Sequence, residues 1–87
     1  MSEYYLYLKE MRQEYRDSLL KRFELTILPQ LDGYGVSNPS YGKYTINTSE
    51  YGIIDIFPKS NKLLIRRLNK WISGAEKWII TNIFKEN

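Results

Sequence analysis

The chain has 87 residues, 43% of them hydrophobic and 26% charged, with a formal net charge of +3. That is enough for one small domain (residues 1–87) with a modest core, and too apolar for wholesale disorder. Cysteine and histidine are both absent, which rules out a disulfide framework and every nucleophilic mechanism built on a thiol or an imidazole base. Zinc, copper, haem and iron–sulfur sites lose their usual ligands, so no metal and no cofactor is expected.

The charge is unevenly placed. Residues 1–42 carry five basic and six acidic groups, whereas residues 43–87 carry eight basic and four acidic ones. An anionic partner is therefore expected to meet the C-terminal half. No run approaches the roughly 18–20 apolar residues that cross a bilayer. The amino terminus has no signal-peptide core. A soluble, cytoplasmic protein without membrane contact is expected.

A helix is predicted over about residues 3–27. Ser2 is its expected N-cap, with Glu3 in the first turn where negative charge suits the helix dipole. Tyr4, Leu8, Met11, Tyr15, Leu19 and Phe23 recur at steps of three and four and trace its expected core face. Lys9, Glu10, Arg12, Glu14, Arg16 and Asp17 lie between them as a solvated face of mixed charge. Pro29 disfavours helical geometry at Leu28 and ends the element; Leu25 and Ile27 could instead open a short strand. Residues 29–42 hold three glycines and two prolines and read as a loop, with Asp32-Gly33 and Asn38-Pro39 as turn signals. Its length makes it a second candidate contact surface, through Tyr34 and Tyr41.

Three strands follow, over about 43–48, 51–57 and 62–67. Tyr44 and Ile46 share one face of the first. In the second, Ile54 and Ile56 oppose Ile53, Asp55 and Phe57, and neither side is plainly the solvated one. Ser60-Asn61 turns the chain into the third, where Leu63 and Ile65 oppose Leu64 and Arg66. Ser73 and Glu76 have the spacing of a capping box for a last helix over about 74–85, with Trp78, Ile79 and Ile83 on its apolar stripe. Helix, loop, three antiparallel strands and helix make an α+β two-layer domain, the last helix packed on the sheet.

The segment with most to say about function is Lys59 to Lys70, in which Lys59, Lys62, Arg66, Arg67 and Lys70 are cationic and no residue is acidic. Arginine donates in a planar fork that matches phosphate oxygens, and lysine supplies a point charge. These five are the expected nucleic-acid contacts; otherwise they form a solvated strand face that discourages edge pairing. Phe57 and Trp71 bracket the run. Trp71 and Trp78 read first as packing between the sheet and the last helix, and Trp71 joins Tyr34 and Tyr41 as a candidate partner contact. Catalytic signals are thin. Asp55, with Glu50 five residues before it, is the one carboxylate pair near a strand, and neither phosphate-binding glycine motif occurs. No catalytic residue is assigned and no enzyme is expected.

The stretch DIFPKSNKLLIRRLNKWISGAEKWI resembles a strand–turn–strand–helix unit of small bacteriophage accessory proteins. The shared features are an aromatic-Pro-Lys turn, K-L-x-I-R, N-K-W-I, a small-residue gap and a W-I helix, over about residues 51–84. The resemblance implies a non-catalytic phage-type protein that antagonises a host defence system. Joined to the basic segment, it gives as the expected partner a nucleic acid, RNA first, or a nucleoprotein. The alternative is a host protein inhibited through the Tyr-rich loop or the first helix. A homo-oligomer built on tyrosine contacts is a third.

Overall fold

A computed structural model describes residues 3–85. Helix α1 spans Glu3–Arg22; Ser2, the expected N-cap, lies outside the described residues. The helical path then widens into a π turn over Phe23–Ile27 and tightens into a 3-10 turn over Leu28–Leu31, with Pro29 at its start, where no backbone donor is required. Leu25 and Ile27 thus belong to the helical path and open no strand.

The sheet has five antiparallel strands rather than three, in the order of the chain: β1 (Ser37–Ser40), β2 (Lys43–Thr48), β3 (Gly52–Phe57), β4 (Lys62–Ile65) and β5 (Lys70–Ser73). Both additional strands are edges. Residues Ser37-Asn38-Pro39-Ser40 have no apolar alternation, yet they pair with β2 through an irregular register; proline is tolerated there because an edge strand leaves donors unpaired. The other addition arises because Arg66–Leu68 form a 3-10 turn closed by Asn69 in the left-handed conformation (φ 50°), which sends Lys70–Ser73 back along β4. Asn61 closes Pro58–Ser60 in the same way (φ 50°) between β3 and β4.

Helix α2 (Ala75–Ile79) continues as a π turn over Ile80–Phe84. The expected Ser73–Glu76 capping box does not form, because Ser73 is consumed by β5. Asn61 takes over: its carbonyl accepts from the amides of Gly74 (2.8 Å) and Ala75 (3.0 Å), and its side-chain Oδ1 accepts from that of Glu76 (3.2 Å). One asparagine therefore closes a hairpin and satisfies the free donors of a helix.

All helices of the described residues pack on one face of the sheet. Leu20, Phe23, Ile27 and Leu31 meet Tyr44, Ile46, Ile54, Ile56, Leu63 and Ile65, and Ala75, Ile79 and Ile83 complete the core. Each of the fully buried isoleucines and leucines contributes about 1.5–3 kcal/mol relative to exposure. Tyr44 also donates to Glu24 Oε2 (2.5 Å), and burial together with that bond pushes its phenol up to about 12. The core face of α1 begins only at Leu19 and Leu20. Among the described side chains from Glu3 to Ser18, only Leu8 is even half-buried. Tyr4 and Tyr15 are 69% and 65% exposed, contrary to the single core stripe expected. At about 100° per residue, each step of four overshoots a turn by about 40°; from Tyr15 to Leu19 to Phe23 the stripe rotates away from Tyr4, Met11 and Tyr15, which face solvent.

Candidate nucleic-acid interface

The five expected cations do not stand together. Lys59 and Lys62 lie at the β3–β4 turn, whereas Arg66 and Arg67 lie beyond the far end of β4, a four-residue strand about 13 Å long, and Lys70 pairs with its last residue, Ile65. Three of the five are engaged within the chain. The Lys59 ammonium contacts Asp17 Oδ1 of α1 (3.1 Å) and lies 4.4 Å above the ring of Tyr41; the bond to Asp17 raises its pKa. Arg66 grips Asp55 with two donors, Nε to Oδ2 (2.6 Å) and Nη2 to Oδ1 (2.8 Å). Arg67 Nη2 donates to the carbonyl of Glu50 (2.5 Å). Among the described residues no ion pair involves Lys62 or Lys70.

What the fold does bring together is the open face of the sheet. Alternation places Lys43, Thr45, Asp55, Phe57, Lys62, Leu64, Trp71 and Ser73 on the side that no described helix covers. Trp71 points there, away from α2, and is 56% exposed. Its ring centroid is 5.5 Å from that of Phe57 at an interplanar angle of 38°. The Lys43 ammonium sits 5.6 Å from the Phe57 centroid. Phe57, Ser60, Lys62, Trp71 and Ser73 together bound a recess of about 450 Å³. Trp78, in contrast, is half-buried against Tyr51 on the helical side. Comparison of the whole chain brings no outside help. No family model, curated protein or solved structure matches it.

Asp55 is the sole acid in the strands. It is 3% exposed, accepts from Thr45 Oγ1 (3.0 Å), and has Lys43 Nζ at 3.9 Å in addition to Arg66. The Arg66 bonds, against an opposing contribution from burial, hold its carboxyl below the usual range. Its charge is thereby answered, and Lys43, Lys62 and Arg66 leave the open face net positive. Glu50, its expected companion, is occupied elsewhere by Lys85 Nζ (2.6 Å). No group of three or more potential metal ligands occurs among the described residues.

Of the loop tyrosines, Tyr34 is half-buried, packs on the core and has its hydroxyl 3.5 Å from the Ile83 carbonyl. Tyr41 is 78% exposed and joins the sheet end beside Lys59. Gly42 closes the turn that carries Tyr41 there, at φ 77°, a conformation that side chains with a Cβ rarely adopt.

A second basic surface lies on α1, where the sequence suggested a mixed solvated face. Plotted at about 100° per residue, the side chains fall into three strips. Glu3, Glu10, Glu14 and Asp17 form one; Tyr4, Tyr7, Met11 and Tyr15 form another; Lys9, Arg12 and Arg16 form the third. No acid lies three or four positions from any of these three cations, and Arg12–Arg16 is a like-charged i,i+4 pair. Such spacing costs the helix roughly 0.2–0.5 kcal/mol per pair. With Leu8, Gln13 and Lys59 they line a cleft of about 380 Å³.

Proposed function

We propose that the chain is a non-enzymatic protein that binds single-stranded nucleic acid, RNA in the first place, on the open face of its sheet. The observation that supports this is the Phe57–Trp71 ring pair on an uncovered strand face, with Lys43 and Lys62 beside it. Bases stack on such rings with little regard to sequence, and lysines at the rim meet phosphates. Lys59 adds positive charge at the β3–β4 end of the sheet, Lys70 lies on the opposite face of β5 from Trp71, and Arg66 and Arg67 act mainly within the fold. In the phage-accessory setting that residues 51–84 resemble, such binding would shield or displace the RNA of a host defence nucleoprotein.

The experiment is a fluorescence titration of a Trp78→Phe variant, in which Trp71 is the sole indole, with short oligouridylate. Quenching with micromolar affinity that weakens as salt rises is expected. Trp71→Ala, read by anisotropy of a labelled oligomer, should cost about 1–3 kcal/mol of binding, and Lys62→Glu should weaken binding most at low salt. An oligomer that leaves Trp71 emission unchanged rejects the proposal.

A second reading takes a protein partner, and the outward stripe of Tyr4, Tyr7, Met11 and Tyr15 supports it, since exposed contiguous apolar surface marks association sites. A solution mass above that of the monomer, returned to the monomer by Met11→Glu, would favour self-association over a host target.

A further inference from the structure

Two recesses flank one three-residue turn. Ser60 lines the recess beneath Phe57 and Trp71, and its neighbour Lys59 lines the cleft under α1. From the juxtaposition of Lys9, Arg12 and Arg16 with Lys59, we infer that this cleft is a binding site for a phosphodiester backbone. It continues the path of a strand that leaves the sheet face around the Pro58–Ser60 turn. The inference deepens the sheet-face reading and rests on it for the direction of the strand. The cleft's own affinity for a polyanion rests on the helix.

Three features argue for an anionic occupant. The first is orientation. Lys9, Arg12 and Arg16 are spaced three and four apart on the same side of α1 as Leu20, Phe23 and Ile27, which bury against the sheet. A set of cations needed only for solubility belongs on the outward side, yet that side carries Tyr4, Met11 and Tyr15. The second is pairing. Within the helix the three have no acid in reach, and among the described residues none forms an ion pair, whereas Lys59 is answered by Asp17. The cleft thus retains an excess of three positive charges over its single carboxylate neighbour. The third is chemistry. Two guanidiniums one helical turn apart offer forked donors to successive phosphates, and the flanking lysines add point charge. Among the described residues that line the cleft none is aromatic, so these would hold sugar and phosphate, while the bases stack on Phe57 and Trp71.

The test separates backbone from base. The probes are an abasic oligodeoxynucleotide of about twelve units, which has phosphates but nothing to stack, and an oligouridylate of about four nucleotides, too short to span both recesses. The triple variant Lys9→Ala, Arg12→Ala, Arg16→Ala is expected to bind the abasic probe at least about tenfold more weakly. It should still show Trp71 quenching by the short oligouridylate. Trp71→Ala, read by anisotropy of the labelled probes, should show the reverse pattern, with abasic binding kept and short-oligouridylate binding lost. A charge-conserving variant, Arg12→Lys with Arg16→Lys, should retain abasic binding; if it loses as much as the alanine variant, a bulk structural effect is at work and the site is overturned. Abasic binding that is absent in the native protein at low salt, or unmoved by the triple variant, also overturns it. Loss of quenching alone, with helix-dependent abasic binding intact, removes the sheet platform and leaves the cleft as a polyanion site.

Discussion

Asp55 and Arg66 illustrate how one pair of side chains serves the fold at the expense of a contact the sequence seemed to offer. The carboxylate sits among the open-face residues of three central strands, nearly inaccessible, and is held by two charge-assisted bonds. Removing Arg66 strands a buried charge with only Thr45 and a distant Lys43, so Arg66→Ala is expected to lower stability; Asp55→Asn removes the charge itself and should cost less, about 1–2 kcal/mol. The dependence on pH has a definite sign. Because the folded-state pKa of Asp55 lies below its unfolded value near 4, the stabilisation is complete above about pH 4 and is lost as pH falls through the lowered value. Urea denaturation of the native protein and of Asp55→Asn should therefore show a constant gap at neutral pH that closes under acid. A gap that does not narrow at all as the pH falls below the unfolded-state value would mean the carboxylate contributes through shape rather than charge.

At the scale of elements, two asparagines do the same job with different consequences. Asn61 and Asn69 each close a 3-10 turn with φ near 50°, a conformation asparagine tolerates better than most side chains. Only Asn61 also satisfies the start of α2 through its side chain. Asn69→Ala should then cost about 1 kcal/mol for backbone strain, and Asn61→Ala about 2 kcal/mol for strain plus a lost cap. Asn61→Gly relieves the strain and keeps only the capping loss, so the order Ala, Gly, wild type of rising stability is the expected result. Equal costs at the two positions would contradict the capping role. The same pair explains what the sequence hid. PKSN-KLLI and RRLN-KWIS are two copies of a turn, a lysine and a strand, eight residues apart, yet the second copy's apolar content (Trp71, Ile72) merges with the helix that follows and reads as its preamble. Residues Ser37–Ser40 carry no periodic signal, since an edge strand exposed along its length needs none. The alternation of β2 and β4 was plain, because one face of each must be buried; that of β3 was not, because Ile53 and Phe57 make its open face apolar as well. The split of the five cations between two ends of β4 was not, because it depends on where a four-residue strand stops. The strips of α1 were present in the numbers, but they emerge only when positions are taken as angles rather than as neighbours.

The whole molecule carries little net charge for a protein proposed to bind a polyanion, and its distribution decides whether the proposal is sound. At +3 over 87 residues, long-range attraction is modest, and affinity must come from local clusters. The open face contributes Lys43 and Lys62 beyond what Asp55 and Arg66 cancel between themselves; the cleft contributes Lys9, Arg12 and Arg16. Acidic groups of α1 lie on a different strip and do not oppose the strand's path, apart from Asp17 at Lys59. Counterion release makes this count measurable. For single strands the logarithm of the binding constant falls with the logarithm of salt at about 0.7 per phosphate neutralised, so five contacts predict a slope of about −3.5 and two predict about −1.4. An oligomer of about twelve nucleotides should show the steeper value with the native protein. It should show the shallower one once Lys9, Arg12 and Arg16 are alanine, while Trp71→Ala lowers affinity at every salt concentration and leaves the slope where it was. A steep slope that survives loss of the helix cations would shift the phosphate contacts back to Lys59, Lys70 and the arginines of the Arg66–Leu68 turn, and the strand would then run along the sheet rather than off its end.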